Sequence, residues 1–291
     1  MKLIPPTSFK LAAATAAALL ALAACAPADD SGDSTDAATS IDDCQIADLP
    51  VKTAGKLTIA TDTPAFEPWF VDDDPTNGKG FESAVAYAVA DRLGVDEADV
   101  EWVKQGFNQA IQPGPKDWDF DINQFSITPD REKAVDFSSP YYAAPQAIIT
   151  LADSPYADAS SLADFKDAKI GAQIGTTSLE AIDAIAPSSD PLVYDDTTKA
   201  AQALLNGQAD AIVADLPTAF YLTAAEIDGS TIAGQFDAGN ADGEAFGLLL
   251  PKDSELTPCV SVAVDDLKGD GTLADLETEW LSKTTDVPVL K

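Results

Sequence analysis

Two neighbouring stretches, Ser126-Ile-Thr-Pro-Asp-Arg131 and Val135-Asp-Phe-Ser-Ser-Pro-Tyr-Tyr142, are the most distinctive part of this 291-residue sequence. The chain has only 17 lysines and arginines against 49 aspartates and glutamates, so a basic side chain within a motif stands out. The planar guanidinium of Arg131 matches a carboxylate, and Ser126 with nearby backbone N–H groups can complete such a pocket. The alternative is that Arg131 pairs with one of the many acidic side chains at the surface.

A second candidate is the stretch Gly171-Ala-Gln-Ile-Gly-Thr-Thr-Ser178, which leads into a predicted helix. Glycine lets the backbone approach a ligand closely, and the free N–H groups at a helix N-terminus attract an anion. Thr176 and Thr177 are therefore candidates for hydrogen bonds to a ligand. Helix capping by these threonines is the simpler alternative.

Asp215 is the third candidate, because it ends a strand-like run. Its segment begins at Gly207 and has the same layout as the segment that begins at Gly114: a glycine, an aspartate, a hydrophobic run and a polar residue. Ligands lie beyond the carboxyl ends of strands in open α/β sheets. We therefore expect Gln124 and Asp215 at equivalent places in two similar lobes. Chance can also produce a match this short, and Asp215 can simply cap a helix.

The composition excludes several classes of function. A formal net charge of −32 opposes binding to the phosphates of nucleic acids, which requires a basic face. The chain has no histidine, which excludes a Ser-His-Asp triad, a Cys-His pair and a histidine-ligated zinc ion. We expect no cofactor and no metal ion.

Strand-like runs alternate with helical segments along the chain, which predicts an α/β fold with mostly parallel sheets. Apolar residues between Phe81 and Val89 repeat at helical spacing, and Gly94 ends this helix. The strand-like runs are 56–61, 100–103, 148–151, 169–173, 211–214 and 246–250, and further helical segments are 178–185, 198–205 and 216–225.

The first residues are typical of an export signal. Lys2 and Lys10 bracket a positive region, and residues 11–24 form an apolar run that is shorter than the roughly 20 residues that a membrane span needs. The run ends in Leu22-Ala-Ala-Cys25, which resembles the lipobox of bacterial lipoproteins. This predicts a lipoprotein signal peptide at 1–24 and a lipid on Cys25; a plain signal peptide with a chance cysteine is the alternative. Residues 25–43 are predicted to be a flexible acidic tether.

Two further cysteines, Cys44 and Cys259, stand near the two ends of the remaining chain. Outside the cytosol disulfides persist, so we predict that these two cysteines pair. Two separate thiols are the alternative. The bridge would place the start of the folded chain and its C-terminal segment in one lobe.

Arg131 for a carboxylate, Asp215 for an ammonium group, and Thr176 and Thr177 for hydrogen bonds make a site for a zwitterion. Here the sequence resembles the extracytoplasmic amino-acid-binding proteins of ABC importers, the family 3 solute-binding proteins. The Ser-Ile-Thr-x-x-Arg and Phe-Ser-x-Pro-Tyr motifs are specific to that family. The matching stretches are 57–62, 80–83, 126–131, 135–142, 175–177 and 207–215.

The resemblance implies a two-lobed fold with two hinge crossovers that closes on an amino acid. Lobe 1 is expected at 44–143 and 243–291, and lobe 2 at 144–242. By the same resemblance, Arg131 and Ser126 hold the ligand carboxylate and Thr177 contributes from lobe 2. Asp215 binds the ligand ammonium group. Closure follows because only the closed form satisfies both ends of the ligand.

Specificity is expected in the first loop, where the family commonly places an aromatic side chain over the ligand. Phe66 matches that place, and Trp69 lies close to it in sequence. Glu67 and Gln124 depart from the family pattern, and Glu67 can meet a cationic side chain. These features favour a polar or basic amino acid.

The resemblance also implies the protein's partners and its place in the cell. We expect a monomer, anchored by lipid to the extracytoplasmic face of the cell membrane, that delivers a free amino acid to the transmembrane subunits of an ABC permease. We expect no catalysis. The rival function is an enzyme on the same fold, such as a cyclohexadienyl or arogenate-type dehydratase; an acidic structural lipoprotein is a third reading.

Overall fold

The computed structural model describes residues 40–238, 244–281 and 287–291. The predicted signal peptide at 1–24, Cys25 and residues 26–39 of the predicted tether lie outside the described residues. Within the rest of that tether, Ser40 caps a short 3-10 helix, Ile41–Asp43, and its hydroxyl accepts a hydrogen bond of 3.3 Å from the backbone N–H of Asp42. The prediction of a flexible chain up to residue 43 is therefore wrong for these last residues.

The described chain holds ten strands and seven α-helices. The strands are β1 Leu57–Thr61, β2 Val100–Lys104, β3 Phe120–Asp121, β4 Val135–Ala144, β5 Gln146–Leu151, β6 Ile170–Gln173, β7 Leu192–Tyr194, β8 Ala211–Asp215, β9 Ser230–Phe236 and β10 Glu244–Pro251. The helices are α1 Phe81–Arg92, α2 Phe107–Ala110, α3 Thr177–Ile185, α4 Thr197–Leu205, α5 Leu216–Tyr221, α6 Thr257–Gly269 and α7 Thr272–Leu281. The predicted alternation of strands and helices is confirmed.

The strands form two five-stranded sheets. The first sheet has the order β2-β1-β3-β10-β4, and the second has the order β7-β6-β8-β5-β9. In each sheet two pairs of neighbouring strands are parallel and two are antiparallel, so the sheets are mixed rather than mostly parallel. The antiparallel pairs all involve β5 or β10, the strands that begin just after the chain passes from one sheet to the other.

Between successive strands the chain crosses from sheet to sheet twice, once between β4 and β5 and once between β9 and β10. After α7 it returns to the second sheet, where residues 287–291 lie. The connection between β9 and β10 includes residues 239–243, which lie outside the described residues. The lobe boundaries expected at 143/144 and 242/243 therefore stay a prediction.

The last five residues lie against the second sheet. The backbone N–H of Gln235 donates to Pro288 at 2.8 Å, and the N–H of Leu290 donates back to Gln235 at 2.8 Å. Leu290 is buried with the core residues of the second sheet. The expectation that lobe 1 includes the whole of 243–291 is therefore wrong at residues 287–291, because the open edge of β9 offers unpaired backbone groups to this apolar segment.

Helix α1 forms where the helical spacing of its apolar residues predicts it. Its apolar residues Phe81, Val85 and Val89 are buried against the first sheet, and the helix ends before Gly94, which has a positive φ of 74°. Helices α6 and α7 contribute to the same core. This packing fixes the loops at the carboxyl ends of β1 and β3.

A disulfide joins Cys44 to Cys259, with Cα atoms 5.3 Å apart, and the prediction that these residues pair is confirmed. Both residues lie in the core of the first sheet. The bond spans 215 residues of sequence and ties the start of the folded chain to α6.

Replacing both cysteines tests how far this bond stabilises the fold. Because the bond restricts the unfolded chain, the Cys44→Ser/Cys259→Ser variant should lose about 2–5 kcal/mol in the free energy of unfolding. Urea denaturation measures the loss. Reductant should lower the midpoint of the unmodified protein and leave that of the variant in place; equal midpoints for both proteins would show that the bond contributes nothing.

Candidate functional site

A cleft lies between the two sheets, where loops and helix ends from both of them meet. Its first-sheet side carries Arg131 and Phe66, and its second-sheet side carries Asp215 and Thr177. The cleft is lined by Asp62, Thr63, Pro64, Phe66, Phe107, Asn123, Gln124, Arg131, Gln173, Thr176, Thr177, Ser178, Asp196, Thr197, Thr198, Val213, Ala214, Asp215 and Thr218. Six of the residues predicted for the site therefore share one cleft: Phe66, Gln124, Arg131, Thr176, Thr177 and Asp215.

Arg131 bridges the two sides of this cleft. Its Nη1 donates to the carbonyl oxygen of Ser126 at 2.7 Å, and its Nη2 donates to the carbonyl oxygen of Gly175 at 3.0 Å. The guanidinium carbon lies 5.5 Å from the centre of the Phe107 ring. None of the ion pairs among the described residues includes Arg131, so the alternative of a surface ion pair is not what the structure shows.

Burial lowers the pKa of Arg131, and the nearby carboxylates of Glu180, Glu244 and Asp215 act in the opposite direction. The guanidinium thus lies in a poorly solvated place where neutral carbonyl groups supply its direct contacts. A carboxylate that entered the cleft would supply the charge that these carbonyl groups lack.

Asp215 is the last residue of β8. Its Oδ1 accepts a hydrogen bond of 2.7 Å from Nε2 of Gln146, which is its partner across the strand pair β5–β8. Burial raises the pKa of Asp215 to about 7, and Glu244 adds to this effect, whereas Gln146 and Arg131 oppose it. A cation beside this carboxylate would favour the ionised form.

Thr176 and Thr177 stand at the start of α3. The hydroxyl of Thr176 accepts from the backbone N–H of Leu179 at 3.2 Å and donates to the carbonyl of Gln173 at 2.7 Å, so it caps the helix. Thr177 Oγ1 instead lies 3.0 Å from Oγ of Ser126, on the first-sheet side.

Ser126 does not line the cleft with its hydroxyl. Oγ of Ser126 donates to Oε2 of Glu244 at 2.9 Å, and the two residues lie in an adjacent cavity with Thr128, Thr177 and Glu180. Only the backbone carbonyl of Ser126 reaches the Arg131 guanidinium. The expected role of Ser126 as a ligand donor therefore stays a prediction.

The first loop differs from its prediction at two residues. Phe66 lines the cleft, and its ring centre lies 5.9 Å from that of Tyr221. Trp69 is fully buried in the core of the first sheet, and its Nε1 donates to Oγ1 of Thr218 at 2.8 Å. Glu67 is exposed and lines a neighbouring cavity, which shares Pro64, Phe66 and Thr198 with the cleft. Their predicted place in the cleft is wrong, because burial favours the indole and hydration favours the carboxylate.

Gln124 lines the cleft, and its backbone N–H and side-chain amide both donate to Glu82. Its backbone, with a positive φ of 46°, donates from N–H to Oε1 of Glu82 at 2.7 Å, and its side-chain Nε2 also donates to Glu82. The hydroxyl of Tyr141 donates to the same carboxylate. Burial raises the pKa of Glu82 to about 7, and these three hydrogen bonds oppose the shift. Glu82 thereby holds Gln124 in its left-handed conformation.

Two acidic cleft residues, Asp62 and Asp196, were missed by the sequence reasoning. Asp62 follows β1 directly, and its Oδ2 accepts from the backbone N–H of Phe107 at 3.1 Å. Asp196 caps α4, and its Oδ1 accepts from the backbone N–H of Lys199 at 2.7 Å. The position of Asp62 beyond the carboxyl end of a strand is the signal that also pointed to Asp215.

Asp121 is a buried carboxylate behind the cleft, on β3. It is fully buried, and neither of its oxygens has a hydrogen-bond partner among the described residues. Burial raises its pKa well above the ordinary value, and Glu82 and Asp62 add to the shift. Because the folded pKa lies above the unfolded one, Asp121 favours the fold at low pH, and this contribution is lost as the pH rises above the unfolded value of about 3.9.

The Asp121→Asn variant tests how far the buried Asp121 carboxyl group reduces the stability of the fold as the pH rises. Its free energy of unfolding should exceed that of the unmodified protein by about 1–3 kcal/mol at pH 8, and the difference should shrink toward pH 4. Urea denaturation across this pH range measures it. The matched control is Asp119→Asn, which should destabilise the fold because Asp119 accepts backbone hydrogen bonds from Lys52 at 2.8 Å and Thr58 at 2.7 Å. A constant difference across pH would refute the effect of Asp121.

Within the described ranges, no cluster of three or more histidine, cysteine or acidic side chains has a geometry suited to a metal ion. No helix in the part of the chain that the structure covers combines the length and the apolar character that a membrane crossing requires.

Residues 57–283 match the family model of the bacterial extracellular solute-binding proteins, family 3, and the chain belongs to this family. It is 29% identical over 232 residues to the L-cystine-binding protein TcyJ of Escherichia coli K12, which covers 79% of this chain and 84% of that protein. It is 26% identical over 245 residues to an L-arginine-binding protein of Pseudomonas aeruginosa, covering 81% of this chain and 92% of that protein.

Solved structures agree with this assignment. An ancestral arginine-binding protein bound to arginine has a TM-score of 0.64 at 32% identity, over 78% of this chain and 98% of that one. The arginine-, lysine-, histidine-binding protein ArtJ of Geobacillus stearothermophilus has a TM-score of 0.65 at 27% identity, over 78% and 95% of the two chains. The two-lobed binding-protein fold class predicted from the sequence is confirmed.

Proposed function

We propose that this chain is the substrate-binding protein of an amino-acid ABC importer and that its cleft holds a free amino acid by both charged ends. The observation that carries the proposal is that Arg131 and Asp215 face one cleft from opposite sheets. The relatives named above bind cystine or arginine, which supports an amino acid as the ligand.

Arg131 is the proposed partner of the ligand carboxylate. A guanidinium has five N–H donors, and Nη1 and Nη2 each carry a second hydrogen besides the one that reaches Ser126 or Gly175. A carboxylate in the cleft can therefore accept from Arg131 without displacing either carbonyl contact. The family resemblance assigns Ser126 and Thr177 to the same carboxylate.

Asp215 is the proposed partner of the ligand ammonium group. Its carboxylate is half-buried and costly to ionise, which the raised pKa reflects. An ammonium group beside it offsets that cost, so the ligand gains most from Asp215 when the cleft has closed around both. Since Arg131 belongs to the first-sheet side and Asp215 to the second, a ligand that binds both favours the closed form.

The ligand side chain is proposed to be basic, with polar amide side chains as the weaker class. Arg131 is the only basic residue among the described residues that line the cleft, and Asp62, Asp196 and Asp215 oppose it. Once Arg131 and Asp215 are paired with the ligand, Asp62 remains without an opposite charge in contact among the described residues, whereas Oδ2 of Asp196 lies 3.3 Å from Nζ of Lys199. Glu67 and Gln124 do not add to this excess of negative charge in the cleft. Glu67 does not line the cleft, and the side-chain amide of Gln124 donates to Glu82.

We further propose that the protein works as a monomer that Cys25 anchors by lipid to the extracytoplasmic face of the cell membrane. The Leu-Ala-Ala-Cys25 motif after an apolar run supports the anchor. The family description places its members outside the cell. From this position the protein would pass its amino acid to the transmembrane subunits of the permease.

Binding without turnover is the proposed mode of action. A dehydratase is the second candidate, because AncCDT-1, an ancestral amino acid-binding protein and precursor of cyclohexadienyl dehydratase, has a TM-score of 0.63 at 30% identity over 78% of this chain. Asp215, which lines the cleft and whose pKa is raised to about 7, is the carboxyl group suited to proton transfer in that case.

Calorimetric titration with L-arginine, L-glutamine and L-glutamate tests the function. Arginine should bind most tightly and be recovered unchanged. The Arg131→Ala and Asp215→Ala variants should each weaken binding by about 30-fold or more, because each leaves a buried charge without its partner.

The charge of the side-chain end is tested in the same titrations with a matched pair of variants. Asp62→Asn keeps an acceptor for the backbone N–H of Phe107 but removes a cleft charge, and should weaken arginine by about tenfold and glutamine by less than twofold. Asp195→Asn, outside the cleft and in an exposed ion pair with Lys199, should change neither. Unchanged binding in both alanine variants, or tightest binding of glutamate, would overturn the assignment.

A further inference from the structure

Three polar side chains bridge the two sides of the molecule next to Arg131. Ser126 pairs with Phe246 of β10, Thr177 begins α3 on the second-sheet side, and Glu244 begins β10. Ser126 Oγ lies 3.0 Å from Thr177 Oγ1 and 2.9 Å from Glu244 Oε2. The hydroxyl of Ser126 is therefore the centre of a chain of hydrogen bonds, called here the hydroxyl relay.

The direction of the relay follows from counting protons. A carboxylate accepts and does not donate, and a hydroxyl has a single hydrogen to give. The hydroxyl of Ser126 donates its hydrogen to Glu244, so in the contact between Ser126 and Thr177 the hydroxyl of Thr177 must be the donor. The protons of both hydroxyls are thus directed along the relay toward Glu244.

The relay and Arg131 join the same two segments. Arg131 donates to the carbonyl of Ser126 and to the carbonyl of Gly175, two residues before Thr177. The distance between the Ser126 and Gly175–Thr177 segments therefore determines whether the guanidinium reaches both carbonyl groups. The hydrogen bonds of the relay hold that distance. The charge of Glu244, at the acidic end of the relay, acts to raise the pKa of Asp215 and opposes the lowering of the Arg131 pKa by burial.

We propose that Glu244 is a positioning residue: it orients the hydroxyls of Ser126 and Thr177 so that they join the two halves and align Arg131 for the ligand carboxylate. This inference rests on the proposed function, because it concerns the residues that would hold the ligand. While the relay is formed, neither hydroxyl has a hydrogen left for the ligand carboxylate, so the relay replaces the direct contact that the family resemblance implies. It also adds Glu244 to the residues that determine affinity.

L-arginine titrations of four variants test the relay. Ser126→Ala and Glu244→Ala should each weaken binding by about five- to tenfold, within the range of an ordinary intramolecular hydrogen bond. The double variant should bind L-arginine within about twofold of the weaker-binding single variant, because the same chain of hydrogen bonds is lost in each case. Glu244→Gln keeps an acceptor oxygen and should remain within about twofold of the unmodified protein.

Glu180→Ala is the matched control. Glu180 lies in the same cavity and acts on the pKa of Arg131 in the same direction, but it makes no contact in the relay. Binding within about twofold of the unmodified protein is expected. Equal losses in Glu180→Ala and Glu244→Ala, equal losses in Glu244→Gln and Glu244→Ala, or additive losses in the double variant would each overturn the inference.

The same proteins separate this inference from the proposed function. If the unmodified protein binds none of the amino acids, the proposed function fails, and the relay is then judged by urea unfolding without ligand. Midpoints that fall in Ser126→Ala and Glu244→Ala but fall no further in the double variant would support the relay. Unchanged midpoints, or additive falls, would refute it.

Discussion

The contacts of Arg131 with the carbonyl groups of Ser126 and Gly175 are the constraint on which the cleft depends. A half-buried guanidinium is costly unless its donors have partners, and these two carbonyl groups belong to opposite sides of the cleft. The side chain therefore ties together two segments that the rest of the chain places on different sheets. It also leaves a positive charge without an opposite charge in direct contact, which is the condition under which a ligand carboxylate binds well.

Across the same cleft, Asp215 provides a negative charge that complements the positive charge of Arg131. Its carboxylate is held by Gln146 and destabilised by burial, so the ionised form gains from any cation that enters. A zwitterion with its two charges on one carbon satisfies both residues at once, whereas a simple cation or a simple anion satisfies one. The arrangement thus explains how a chain with a net charge of −32 can select a ligand with a carboxylate.

The sequence pattern predicted the residues whose position follows from local rules. Arg131, Thr177 and Asp215 stand at strand ends or helix starts, where α/β proteins bind ligands, and all three line the cleft. The disulfide followed from the number of cysteines and the compartment. In both cases the prediction needed no knowledge of side-chain direction.

The failures concern side chains whose direction is set by tertiary packing. Trp69 is close to Phe66 in sequence, yet the core of the first sheet takes up its indole. Gln124 reaches the cleft, but its amide is held by Glu82, which lies 42 residues earlier in the chain. The pairing of residues 287–291 with β9 depends on an open strand edge that is visible only after the second sheet has formed.

The most direct test of the paired charges is the number of protons released when an amino acid binds. Because burial raises the pKa of Asp215 to about 7, part of these carboxyl groups carry a proton near neutral pH, and an ammonium group that binds there displaces it. Calorimetry of L-arginine binding in buffers of different ionisation enthalpy should therefore show proton release between about pH 6 and 8, and a smaller release in Asp215→Asn. Binding with no proton release in the unmodified protein, or with the same release in Asp215→Asn, would contradict the account.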